Sequence, residues 1–154
     1  MSEDFQITEH FSFYELTDST RHPELVPQNR IDSMAYQKQL KYLACAHEEI
    51  RAVLGVALDM SSGYRNPKLN KVVGGSPTSG HTKALCGDSV PRMDVKKAFE
   101  ILLRNKDKLP SVKKIILESF GGAIWLHTEA KTDANQPQQF FTTSNGKTYT
   151  EIKA

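Results

Sequence analysis

Apolar positions first recur with a helical period. Tyr36, Leu40, Leu43, His47, Ile50 and Leu54 follow one another at alternating spacings of four and three, one stripe on a helix of about five turns. Gly55 is placed to stop it. His47 lies on the stripe and reads as a core residue, not a ligand. Before it, the first 30 residues mix short apolar pieces with Pro23, Pro27 and Asn29. Residues 11–16 read as a short helical turn, with Ser12 as cap and Glu15 three positions on. After the helix, residues 56–60 read as a strand. From 61 to 87 the periodicity breaks, and more than half of the nine glycines gather there with Pro67 and Pro77. A loop of that length inside a compact domain is usually functional or disordered. A second helix starts near Asp94 as N-cap and carries Val95, Phe99, Leu102 and Leu103. Residues 113–118 and 124–128 read as strands about the turn Phe120-Gly121-Gly122, and residues 139–152 as a hairpin about Asn145-Gly146. Helices first and strands later predict an α+β fold, N-terminal helices packed on a small, mainly antiparallel sheet.

Composition narrows the setting. A chain of 154 residues is expected to form one domain, 1–154. With 38% hydrophobic and 25% charged residues it has the balance of a soluble globular protein. The net charge of +2, with no dense Lys/Arg block, argues against nucleic acid as a partner. The longest apolar run, 52–58, contains Gly55 and falls well short of the roughly 20 residues that span a bilayer. Met1-Ser2-Glu3-Asp4 is acidic where a signal peptide would be basic, so synthesis in the cytoplasm without such a peptide is expected. Cys45 and Cys86 have no spacing that suggests a disulfide or a paired-cysteine zinc site, and both are read as reduced.

Three residues stand out chemically. His10 and His22 have no acidic or cysteine partner at ligand spacing and read as solvated surface. His81 closes the glycine-rich stretch in Ser79-Gly80-His81, Asp88 follows at the start of a strand, and His127 stands in Trp125-Leu126-His127. Two imidazoles and one carboxylate suit a catalytic zinc, with a fourth position left open.

The motifs around these residues are ordered and specific. Phe11-Ser12 with Glu15-Leu16, Ser61-Ser62-Gly63-Tyr64-Arg65-Asn66-Pro67, Asn70 with Val73-Gly74-Gly75, Ser79-Gly80-His81 with Asp88, and Glu118 with Trp125-Leu126-His127 together resemble the zinc D-alanyl-D-alanine carboxypeptidase family. Those peptidoglycan peptidases are related to the hedgehog signalling domain. The resemblance covers about residues 10–130 and leaves 131–154 as a C-terminal hairpin. It implies one Zn2+ per chain held by His81, Asp88 and His127, with Glu118 as general base. It implies Arg65 near the metal, stabilising an oxyanion or holding a substrate carboxylate, and Tyr64 and Trp125 at the substrate. Ser79 would either cap the loop or bond the substrate. The implied partner is the peptidoglycan stem peptide, cut as a D-Ala-D-Ala carboxypeptidase or a stem endopeptidase. The implied setting is the cell wall, as in phage lysis enzymes or virion-carried hydrolases.

The chain also departs from the family pattern. Ala84 stands where the family has Gly, and Cys86 where it usually has Ala. On a strand Cys86 shares a face with Asp88. It is either a small buried apolar residue or a fourth ligand, which would close the site and make the chain a non-catalytic, zinc-stabilised module. The interval from Glu118 to His127 is longer than in many relatives, and Glu129 is the reserve candidate for the base.

Overall fold

A computed structural model describes residues 3–153 of the chain; Met1 and Ser2, part of the acidic start, lie outside the described residues. The elements run β1 (Gln6–Thr8), β2 (Phe11–Ser12), α1 (Val26–Ser33), α2 (Gln37–Leu54), β3 (Leu58–Ser62), α3 (Pro67–Val72), β4 (Cys86–Pro91), α4 (Val95–Arg104), β5 (Val112–Phe120), β6 (Ala123–Ala130), β7 (Gln139–Thr143) and β8 (Thr150–Glu151). The fold is α+β. Among the described residues, a six-stranded sheet in the order β3-β4-β6-β5-β7-β8 has α2 and α4 packed against it. Among the described residues only the β5–β7 pairing is parallel. No helix among the described residues is long and apolar enough to cross a membrane.

The strongest sequence signals are borne out. α2 buries Leu40, Leu43, His47 and Ile50, and Gly55 ends it at φ 70°, a left-handed position that glycine adopts without a Cβ penalty. Asp94 caps α4 by accepting from the Lys97 N–H at 2.9 Å. α4 then buries Phe99 and Leu102, and Phe99 meets Phe140 of β7 edge to face at 5.8 Å. Gly121 and Gly122, both at positive φ, make the tight β5–β6 turn.

Three expectations need correction. The first 30 residues are more than short apolar pieces set between prolines. They hold the β1–β2 hairpin and α1, whose Asn29 is fully buried. The stretch 61–87 is not one loop, because α3 lies inside it, capped by Asn66 and started by Pro67, and a 3-10 turn follows at Gly80–Lys83. The tail does form a hairpin, but β7 also pairs in parallel with β5, so it extends the sheet. Its turn is wider than a two-residue one, since residues 144–149 form a loop held by Asn145 Oδ1, which accepts from the N–H groups of Lys147 and Thr148 at 2.8 Å each.

The N-terminal motif has a structural purpose. Ser12 and Glu15 form a reciprocal capping box, with Glu15 N–H to Ser12 Oγ at 3.1 Å and Ser12 N–H to Glu15 Oε1 at 3.0 Å. That single turn presents the Leu16 carbonyl to the Tyr64 N–H at 2.8 Å. A Cβ at Gly63 would collide with the same carbonyl, so only glycine allows the approach. From the other side, Asn29 donates to the Thr17 and Tyr64 carbonyls at 2.9 and 3.0 Å and accepts from the Asn66 N–H at 2.7 Å. Residues 63–66 are thus clamped before they reach the cleft.

Candidate metal centre

Register places the chemistry. Asp88 of β4 lies opposite His127 of β6, and His127 lies opposite Ile116 of β5. Because side chains alternate across a strand, Cys86 and Asp88, Trp125, His127 and Glu129, and Lys114, Ile116 and Glu118 share the face turned away from the helices. They floor a cleft of about 840 Å³ whose opposite wall includes Arg65, Ser79, His81 and Tyr149.

At its centre His81, Asp88 and His127 converge. One candidate donor atom from each lies within 4.8 Å of the other two. His81 Nε2 is 3.4 Å from Asp88 Oδ2, His127 Nδ1 is 3.0 Å from Asp88 Oδ1, and the two rings stand 5.2 Å apart. His81 is keyed to the clamped segment twice. Its Nδ1 donates to the Gly63 carbonyl at 2.8 Å, and its own carbonyl accepts from the Arg65 N–H at 3.0 Å. The first bond fixes the tautomer, so the Nε2 lone pair points at Asp88. That Nε2 is buried and has no hydrogen-bond partner. A buried imidazole nitrogen left unpartnered beside a carboxylate and a second imidazole fits a bound cation, and two N donors with one O donor suit zinc.

The three groups act on one another electrostatically. Burial lowers the pKa of His81 and keeps it neutral. Burial alone would raise Asp88, but His81 and His127 outweigh it and hold the carboxyl well below its usual range. Burial alone would lower His127, but Asp88 and Cys86 overcome it and raise the imidazole well above its ordinary value.

Glu118 and Arg65 face the same space. Glu118, paired in register with Trp125, has its pKa raised chiefly by burial. Arg65 has its pKa lowered by burial, against the pull of Asp88, Cys86 and Glu118, and its Nε is buried without a partner. Gly75 makes room for it, since a Cβ there would lie 3.3 Å from Arg65 Nη1 and collide with Asn70. Ser79 fulfils the first of the two roles expected of it. Its Oγ accepts from the His81 N–H at 3.2 Å, capping the turn, and the residue lines the cleft.

Other candidates sit elsewhere. Tyr64 is 2% exposed and packs on Tyr36 at 5.4 Å, with its hydroxyl pKa pushed up to about 12 by burial; it is a core residue, not a lining one. Glu129 lines the cleft but is held by Lys113 at 3.3 Å and Lys114 at 3.9 Å. His10 stays at the surface, yet its Nδ1 meets Glu48, distant in sequence, at 2.8 Å. His47 is a core residue as read, its pKa lowered to about 4 by burial. Cys45 and Cys86 are both free thiols. Sequence reasoning missed Lys114, Phe141, Gly146 and Tyr149 as lining residues, because strand register and the return of the C-terminal loop bring them there.

Both departures from the family pattern have a geometric reading. Ala84 adopts φ 58°, the positive-φ conformation of a non-glycine residue, and this explains a glycine preference at its position. Cys86 is outside the three-residue donor group. Its Sγ occupies the space that a Cβ at Gly80 would need, whereas its own Cβ would lie 3.5 Å from that position, an ordinary contact. Gly80 and Cys86 are therefore a matched pair. Gly80→Ala alone should lower stability by about 1–3 kcal/mol through overpacking, and Gly80→Ala with Cys86→Ala should recover most of it. Cys86→Ala alone should retain zinc. Denaturant melts across the four proteins of this cycle test the coupling, and strictly additive effects would refute it.

The family model described as Peptidase M15 matches residues 9–114. No curated protein matches the chain. The matched residues include Arg65, His81 and Asp88, and stop before Glu118 and His127, which strand pairing adds to the site.

Proposed function

The chain belongs to the peptidase M15 family, and from that premise we propose that it is a zinc peptidase hydrolysing an amide bond in the peptide stem of peptidoglycan. The observation that carries the reading is the unpartnered Nε2 of buried His81, aimed at Asp88 and His127 in a cleft that also holds Glu118 and Arg65. His81, Asp88 and His127 would hold the zinc, which supplies Lewis acidity towards the scissile carbonyl and the attacking water. The Glu118 carboxylate takes a proton from that water and hands it to the leaving amine. Its raised pKa makes it a stronger base than an exposed glutamate. The Arg65 guanidinium meets the developing oxyanion or a substrate carboxylate, for which its planar fork is suited. Trp125 supplies an apolar wall beside Glu118.

The reaction class within that reading is D-Ala-D-Ala carboxypeptidase or stem endopeptidase, in one domain spanning 1–154, acting on the cell wall as phage-type lysis enzymes do. A non-catalytic, zinc-stabilised module would call for a fourth protein ligand. The donor group of three, which leaves Cys86 out, supports the enzyme instead.

Purified sacculi incubated with the zinc-loaded protein should release stem peptides detectable by mass spectrometry. Chelation should stop the release and added zinc restore it. Intact sacculi after prolonged exposure to zinc-loaded protein would overturn the reading.

A further inference from the structure

One end of the cleft is cationic, and the chemistry above makes no use of it. Strand register serves as a ruler. Ile116 lies opposite His127, Glu118 opposite Trp125, and Lys114 opposite Glu129. Lys114 therefore stands about 7 Å along β5 from the level of the metal group, on the side opposite the base. A register shift between Val112 and Lys114 marks a bulge at Lys113, and bulges re-aim side chains. The result is two ammonium groups on one carboxylate, Lys113 Nζ at 3.3 Å and Lys114 Nζ at 3.9 Å from Glu129. One positive charge is left over. Glu129, with a side chain only 20% exposed, anchors the pair, and Lys114 lines the cleft itself.

The walls next to this charge are apolar. Ile116 and Phe141 are cross-strand neighbours that line the cleft beside Lys114, and Lys114 Nζ lies 5.6 Å from the Phe141 ring centroid. An aliphatic wall ending in a fixed cation fits an aliphatic side chain ending in a carboxylate. A substrate residue two places along an extended peptide from the scissile bond would reach it.

We propose that Lys114, backed by Lys113 and Glu129, is an acceptor subsite for a substrate side-chain carboxylate. It selects stem peptides whose third residue is of the diaminopimelate type over those in which that residue is lysine. The inference rests on the stem-peptidase reading for its substrate. Both side chains end in an ammonium, but diaminopimelate adds a carboxylate on the same carbon. That carboxylate gains a charge-assisted hydrogen bond to Lys114 and offsets the like charge that the bare ammonium of lysine meets.

Two synthetic stem pentapeptides, identical except for meso-diaminopimelate or L-lysine at the third position, test it. Cleavage is read as kcat/KM, and binding as quenching of Trp125, the chain's single tryptophan and part of the cleft wall. The zinc-loaded wild type should favour the diaminopimelate peptide by about tenfold. Lys114→Gln should bring the ratio near one, Lys114→Glu should invert it, and Lys114→Arg should keep the preference, with zinc content measured in each. A wild type without preference, or a preference that survives Lys114→Gln, overturns the subsite. Cleavage without preference defeats the subsite and leaves the peptidase reading standing. Selective binding without cleavage does the reverse, and no binding of either peptide defeats both.

Discussion

His81→Ala is expected to lose most of the bound zinc, with an affinity drop of more than about a hundredfold. Outer-shell partners of metal ligands alone account for 10- to 100-fold, and His81 is the donor most completely prepared for its task. It is 2% exposed, neutral because burial lowers its pKa, and fixed by the Gly63 carbonyl so that Nε2 faces Asp88. Metal need displace no proton there and reorganise nothing. A ligand that binds only the folded state stabilises it by about 2.7 kcal/mol at a hundred times its dissociation constant. Zinc should therefore raise the melting temperature of the wild type and leave that of His81→Ala almost unmoved. Asp88→Asn, which keeps the shape and removes the charge, should behave alike and shows that a cavity at position 81 is not the cause. Stoichiometric zinc in His81→Ala combined with His127→Ala would sink the assignment.

Legibility in the sequence followed the range of the interactions. α2 and α4 were readable because their stripes and caps are local, as with Asp94 and Gly55. The donor set was readable as residue types, and its two strand members were placed correctly by the β periodicity. α3 was missed although Asn66-Pro67 is a good helix start, because the glycines around it dominated the pattern. α1 was missed for a related reason: Asn29 reads as punctuation, yet it is a buried clamp whose partners, Thr17 and Tyr64, are far away in sequence. Tyr64 was misplaced because its neighbour Arg65 does face the cleft and local pattern gave no way to separate the two. No local signal announces that β7 pairs in parallel with β5 or that residues 144–149 return to wall the cleft beside Glu118. The motif glycines carried more structural information than their composition suggested. Gly63, Gly75 and Gly80 each mark a place where a Cβ would strike a specific neighbour, so the motif is largely a record of close approaches around Arg65 and His81.

The largest effect on catalysis is expected at Glu118. Glu118→Gln keeps size and hydrogen-bonding capacity and removes only the ability to accept a proton. Removal of a general base typically costs 10²- to 10⁴-fold, roughly 3 to 5 kcal/mol of transition-state stabilisation. Hydrolysis of a stem peptide by the zinc-loaded variant should therefore be at least about a hundredfold slower, with zinc content and melting temperature close to wild type. The other glutamate of the cleft, Glu129, is already tied up in ion pairs. Lys113 and Lys114 hold it at 3.3 and 3.9 Å, so both of its oxygens are already engaged by ammonium groups. Glu118 has the opposite environment, since burial raises its pKa and thus its proton affinity. The loss in Glu118→Gln should accordingly exceed that in Glu129→Gln by at least about tenfold. A reversed order would move the base to Glu129 and leave the metal site intact. Full activity in Glu118→Gln beside robust wild-type hydrolysis would instead remove general-base catalysis by either acid from the mechanism.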